Sequence, residues 1–249
     1  MTSIDSDFDH PDGRRLKSVD FLVRALHQTT LGFIEEMMDQ LDRWTYETRF
    51  HSYRVSVLSC EIGEKMNLRP DQLISLRAGA LLHDIGKIRI PQNILNKPKA
   101  LTHEEWSVIQ QHPEAGRSIL SRIPSLDFAK EIVHQHHERW NGTGYPQNLS
   151  GKDILPEARI FGVVDSYDAM TSNRIYNIPK VHEEAVDEVR KNSGILFDPE
   201  VVRTFLSLSQ ETFRKVKSVL DHHSFLRELF DPDEYLHLLI LMEKTGGGI

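Results

Sequence analysis

Ala80-Leu81-Leu82-His83-Asp84-Ile85-Gly86-Lys87 is the stretch on which the reading of this chain turns. Its first half is small and apolar, His83 and Asp84 are residue types that bind cations, and Gly86 and Pro91 end the segment. Leu73, Ile74, Leu76 and Ala80 lead into it at helical spacing, so His83-Asp84 falls at or near the end of a buried helix. Neighbouring helical residues point about 100° apart, so such a pair can address one cation or bridge two. A hydrogen-bonded core pair is the plainer reading of the dipeptide alone. The residues on either side argue against it.

Downstream, a helix predicted over Asp127–Arg139 has Phe128, Ile132 and Val133 as its apolar face and ends in His136-His137. The turn sequence Trp140-Asn141-Gly142-Thr143-Gly144-Tyr145-Pro146 follows directly. Between the two runs, Thr102 and Glu105 make a capping-box pattern. Trp106, Ile109 and His112 then recur at helical spacing until Pro113 interrupts. Upstream, Phe50, Tyr53, Val57, Leu58, Ile62 and Met66 form the stripe of a helix that Asn67 and Pro70 break. Glu47 and His51 lie four apart on one face of it, a spacing that a solvated pair would also satisfy. Pro156 introduces the apolar residues Ala158, Ile160, Phe161, Val163 and Val164, read as a buried helix that carries Asp165 and Asp168.

The remaining segments agree. Val19 to Trp44 has helical apolar spacing and can cover the core or pair with its copy in a homodimer. Asp71 is placed as the cap of the helix leading to His83. Further helices are expected over Val181–Lys191, from Phe197-Asp198-Pro199-Glu200 through Phe205, and within Glu211–Met242. No segment alternates like a strand, so the class is all-α. The boundaries read as a mobile N-terminal tail at 1–18, an N-terminal helix at 19–45, the main domain at 46–205 and a helical extension at 206–249.

Composition excludes several functions. The 249 residues hold 30 Lys+Arg against 37 Asp+Glu, a net charge of −7, so polymeric nucleic acid is not the expected partner. The one cysteine, Cys60, allows neither a disulfide framework nor a thiolate metal site. The N-terminus lacks the basic and apolar regions of a signal peptide, and no apolar run approaches the roughly 18 residues of a membrane span. A cytoplasmic protein without membrane contact is expected. Histidine and carboxylate ligands without thiolate suit iron, manganese or zinc. A shared carboxylate is the usual way to hold two cations about 3.5–4 Å apart.

The ordered set of runs resembles the HD-GYP family, the cyclic di-GMP phosphodiesterases within the HD phosphohydrolases. The matching runs are His51-Ser52-Tyr53-Arg54-Val55, His83 through Lys87, Asn93 through Pro98, Leu101 through Trp106 and His112-Pro113. They continue with His136 through Trp140, Gly142, Gly144-Tyr145-Pro146, Asp165 through Thr171 and Phe197-Asp198-Pro199. The resemblance implies an HD-domain helical bundle. It implies that His51, His83, Asp84, His112, His136, His137 and Asp165 are metal ligands with Asp84 as the bridge. Glu47 matches a position that supports a third metal in some members. Lys87 matches the lysine on the scissile phosphate, and Tyr145 and Arg174 match groups that hold the substrate phosphates. Two or three divalent cations are therefore implied, iron or manganese before zinc.

Two divalent cations carry four positive charges, and Asp84 and Asp165 offset two, leaving about +2 for a phosphodiester and a hydroxide nucleophile. The implied reaction opens cyclic di-GMP to linear pGpG, and on to GMP. The alternatives are another cyclic dinucleotide as substrate, or a module that binds metal and nucleotide without turnover. A protein partner could dock at the Gly142–Pro146 turn. The chain departs from the family pattern at Ile175-Tyr176-Asn177, after Arg174, and at Ser193-Gly194-Ile195-Leu196; neither change removes a ligand.

Several residues serve as controls. His222-His223, beside Asp221, lies outside the matched runs and reads as helix surface, and His134 points away from His136 on its helix. Asp168 competes with Asp165 as the last ligand and fits the family position poorly. Trp106 and Trp140 read as packing anchors rather than base-stacking platforms.

Overall fold

A computed structural model describes residues 11–45, 49–172 and 178–217. Glu47, Arg174, the Ile175–Asn177 segment, His222-His223 and everything from 218 onward lie outside the described residues. The helices run in the order α1 (Pro11–Trp44), α2 (Arg49–Lys65), α3 (Pro70–Leu82), α4 (Gln92–Leu95), α5 (His103–Ile109) and α6 (His112–Leu120). They continue as α7 (Lys130–Gln135), α8 (Pro156–Thr171), α9 (His182–Lys191), α10 (Pro199–Leu206) and α11 (Gln210–Lys217). Short 3-10 turns occupy Ile85–Arg89, Pro124–Ala129 and Gly151–Asp153. Among the described residues the only strand-like pairings are isolated bridges, Asn141 with Ser150 and Ser193 with Phe197. The fold is all-α. No helix among the described residues is long and apolar enough to cross a membrane.

The helix α3 organises the rest. Ile74, Leu76, Ala78, Gly79, Ala80, Leu81 and Leu82 are all buried, because the helix has apolar neighbours on two sides. Ile74, Ala78, Leu81 and Leu82 share one core with Leu31, Ile34 and Met38 of α1 and Val133 of α7. Leu76 and Ala80 share the other with Val55, Leu58 and Ile62 of α2, Ile160, Phe161 and Val164 of α8, Val201 and Phe205 of α10, and Phe213 and Val216 of α11. A helix enclosed in this way delivers whatever follows its last turn to the interior. His83 and Asp84 follow.

The apolar face of α1 from Leu31 to Leu41 is spent on this core, and Phe33 is the large apolar residue it leaves exposed. Of the two roles expected for that helix, the structure shows core cover. Phe213 and Val216 likewise draw the start of the C-terminal extension into the core.

Three local expectations are corrected. α1 begins at Pro11, so residues 11–18 are helical rather than tail. Proline has the φ of a first helical residue, which suits Pro11 to that position. Asp71 is not the cap of α3. Arg69 is, in an extended conformation before Pro70, with its N–H donating to Gln72 Oε1 at 3.2 Å, while Asp71 pairs with the Arg69 guanidinium. The helix expected over Asp127–Arg139 is split into the 3-10 turn Pro124–Ala129 and the two-turn α7. At α5 the capping box forms as the sequence predicts, with Glu105 N donating to Thr102 Oγ1 and Thr102 N donating to Glu105 Oε2.

Two glycines set how closely the functional segments approach. A Cβ on Gly86 would lie 1.9 Å from the His112 carbonyl oxygen and 2.6 Å from Gly116 N, so only glycine lets the start of α6 rest on the turn after Asp84. A Cβ on Gly144 would meet the backbone of His137, Glu138 and Arg139, each at 2.5 Å. Neither clash can be relieved by rotating a side chain. Gly86→Ala is therefore expected to lower stability by about 1–3 kcal/mol, the cost of overpacking. Thermal unfolding checks this: an unchanged midpoint would mean that α6 is free to back away.

Candidate metal centre

Five elements meet at one point. α2 supplies His51 and the end of α3 supplies His83 and Asp84; α6 supplies His112, the residues after α7 supply His136 and His137, and α8 supplies Asp165. Their ligand atoms fall into two groups: Asp84 with His112, His136 and His137, and His51 with His83 and Asp165. Within each group the atoms lie within 4.8 Å of one another. All seven sequence-predicted metal ligands that fall among the described residues thus converge.

The Asp84 carboxylate faces both groups. Its Oδ2 lies 3.1 Å from His83 Nε2 and 2.7 Å from Lys87 Nζ. Its Oδ1 lies 3.3 Å from His112 Nε2 and 4.0 Å from His136 Nε2, yet accepts no hydrogen bond although fully buried. Across the centre, His51 Nε2 lies 3.2 Å from Asp165 Oδ1.

The other nitrogen of each ring fixes the tautomer. Nδ1 of His83, His112 and His136 faces the carbonyl three residues earlier, at Ala80, Ile109 and Val133, with separations of 2.9, 2.7 and 2.7 Å. A carbonyl only accepts, so Nδ1 carries a proton in all three, and in neutral His112 and His136 rings Nε2 then presents a lone pair. At His83 burial opposes charge, but Asp84 beside Nε2 outweighs it, favours a proton there and raises His83 above its ordinary value. His112 Nε2 and His136 Nε2 then point lone pairs at each other 3.1 Å apart. Two lone pairs at that distance repel unless a cation or proton lies against them. A buried carboxylate oxygen without a donor has the same need. These residues fit a divalent cation, and the donor set suits it.

Electrostatics separates the two groups. Burial, then the neighbouring imidazoles, hold His136 and His137 well below the ordinary histidine value, so both are neutral donors at neutral pH. Burial opposes a charged His51, but hydrogen bonds to Asp165 and Asp168 outweigh it and raise His51 to about 10. Asp165 is lowered to about 2: burial works against its charge, and the His51 hydrogen bond prevails. Asp84 is held well below the carboxylate range, with Lys87 and His83 outweighing burial.

Aromatic groups line one side. Tyr145 lies against His137 with ring centroids 4.7 Å apart, and Trp106 meets the Tyr145 ring edge-on at 6.4 Å. Trp106 is 44 % exposed, so it is not the packing anchor that the sequence suggests. Phe161 is fully buried beneath the His83 and His136 rings. A cavity of about 120 Å³ opens beside His136, His137 and Asp165, with Trp140, Arg159 and Phe197 in its wall.

Sequence reasoning missed the residues behind these. Glu138 is buried and accepts from Gln147 N at 2.6 Å and Leu149 N at 3.0 Å, which ties down the segment carrying Tyr145. Asp168 does not join the ligand groups. Its Oδ2 accepts from His51 Nδ1 at 2.8 Å, and Arg54 holds both of its oxygens. His134 is a buried partner of Glu114, not a ligand. The signal for Asp168 and Arg54 was their spacing, three residues beyond Asp165 and His51 respectively.

The profile describing the HD domain matches residues 34–201. The chain belongs to the HD domain family. Over 194 residues it is 43% identical to a cyclic di-GMP phosphodiesterase of Thermotoga maritima, covering 77% of this chain and 50% of that protein. Over 196 residues it is 32% identical to a 3'3'-cGAMP-specific phosphodiesterase of Vibrio cholerae, covering 78% of this chain and 37% of that protein. A solved HDG"Y"P protein from Bdellovibrio bacteriovorus matches with a TM-score of 0.50 and 25% identity, over 62% of this chain and 50% of the other. This HD domain chain spans half or less of the length of these relatives.

Proposed function

We propose that this HD domain is a metal-dependent phosphodiesterase that opens cyclic di-GMP to linear pGpG, and on to GMP, in the cytoplasm. The single observation that carries the reading is the facing pair of His112 and His136 Nε2 atoms beside the unpartnered Asp84 Oδ1. Asp84 would bridge two cations, with His51, His83 and Asp165 on one and His112, His136 and His137 on the other. The cations would be iron or manganese, with zinc as the alternative, and Glu47 would add a third. Bound cations of this kind acidify water to near neutrality and set positive charge against a phosphate.

The protein groups supply the rest. Lys87, at the rim of Asp84, would approach a phosphate oxygen as a point charge. Burial, then the charge on Asp84, raises the Tyr145 hydroxyl above its ordinary value, so it stays protonated and can donate to a phosphate oxygen. Arg174 would grip a phosphate with two prongs. His136 and His137 stay neutral, and the contact of His136 Nδ1 with the Val133 carbonyl fixes its ring, so this side of the site needs no reorganisation when charge develops on phosphorus.

The specificity of the Vibrio relative for 3'3'-cGAMP motivates a second substrate reading. One metal-loaded sample given cyclic di-GMP and 3'3'-cGAMP side by side separates the two. The cyclic di-GMP reading expects linear pGpG at the higher rate. Faster opening of the mixed dinucleotide would move the assignment, and binding of either without product would make the chain a receptor.

A further inference from the structure

The ring of His51 is held differently from the others. His83, His112 and His136 each rest on a carbonyl of their own helical turn, a contact that no side-chain change removes. His51 instead reaches Asp168 on α8, 117 residues away, at 2.8 Å. Asp168 is itself fully engaged. Its Oδ1 accepts from Arg54 Nε at 2.7 Å, and its Oδ2 accepts from Arg54 Nη2 at 2.8 Å and Ser172 Oγ at 3.1 Å. Arg54 Nη2 also reaches Ser172 Oγ at 2.9 Å.

The sequence spacing explains the construction. Arg54 is three residues after His51 on α2, and Asp168 is three after Asp165 on α8, so each brace residue lies one turn behind a candidate ligand. Two layers result between the same two helices. The outer one pairs His51 with Asp165 at 3.2 Å, and the inner one pairs Arg54 with Asp168 at 2.7 Å. The guanidinium stabilises the ionised Asp168 and engages both of its oxygens, which keeps that carboxylate from competing as a ligand. What remains for His51 is a charged acceptor at Nδ1, which raises the basicity of Nε2 and fixes its aim.

We propose that Asp168, braced by Arg54 and Ser172, is the positioning residue for the cation held by His51, His83 and Asp165, and that this cation can be lost without the other. The proposal rests on the two-cation reading of the centre. Its converse is that the His112, His136 and His137 position is independent of Asp168.

The test is titration of Mn2+ into the metal-free full chain, counting bound cations and their affinities in wild type, Asp168→Ala and Asp168→Asn. Electron paramagnetic resonance adds a readout, because two adjacent Mn2+ ions couple and a single one does not. Wild type is expected to bind two coupled ions. Asp168→Ala is expected to weaken one of them by roughly 10–100-fold, leaving a single uncoupled ion at unchanged affinity. Asp168→Asn keeps the shape and an acceptor for His51 if Asp168→Ala fails to fold, and is expected to weaken the same ion by roughly tenfold. Equal weakening of both ions, or of neither, in a folded variant would overturn the proposal. A wild-type chain that binds no Mn2+ would instead overturn the reading on which it rests.

Discussion

Alanine in place of Asp84 is expected to empty the centre of bound cations and to lower cyclic di-GMP hydrolysis by roughly 10³–10⁴-fold or more. That figure is several kcal/mol of lost charge stabilisation converted to rate. Among the described residues Asp84 is the one carboxylate that faces both ligand groups, with Oδ1 toward His112 and Oδ2 toward His83. Its loss also leaves the Lys87 ammonium without its 2.7 Å partner and beside four buried imidazoles, so positive charge is repelled from the site. Elemental analysis and product chromatography on one sample check both halves. A variant that keeps two cations and half its activity would mean that the bridge is elsewhere.

The second large effect separates binding from chemistry. Lys87→Ala is expected to retain both cations, because it removes a competitor for Asp84 Oδ2 rather than a ligand. Its kcat is expected to fall by roughly 10²–10³-fold, the usual loss when one charge-stabilising donor is deleted. Metal content that falls together with kcat would show that Lys87 supports Asp84 rather than the phosphate. Unchanged kcat would remove Lys87 from the proposal.

Much of this was legible in the sequence, and the reason is physical. A helix whose last turn is apolar all round must be buried there, so Ala78 to Leu82 announced that His83 and Asp84 would be delivered to the interior. The histidine pair after α7 and Asp165 after the apolar face of α8 follow the same logic. Three kinds of information were not legible. The brace on His51 spans two distant helices, and only the fold says that Arg54 and Asp168 meet. Trp106 has the composition of a core residue, but its short helix lies at the edge, with Tyr145 against one side of the ring and solvent at the other. The needs of Gly86 and Gly144 are set by backbone atoms across a tertiary contact, where sequence offers only a flexible residue. Local end signals misled at the start of α1, at α7 and most plainly at α3. Asp71 looked like a cap, but Pro70 was already the first helical residue, which moved the cap to Arg69.

The most direct test is the rate of cyclic di-GMP opening followed as Mn2+ is returned to chelated protein, with bound metal counted at each point. No linear product is expected without metal, and the rate is expected to rise as the second cation binds. Linear product at the same rate from fully chelated protein, or intact cyclic di-GMP with two cations bound, would contradict that expectation.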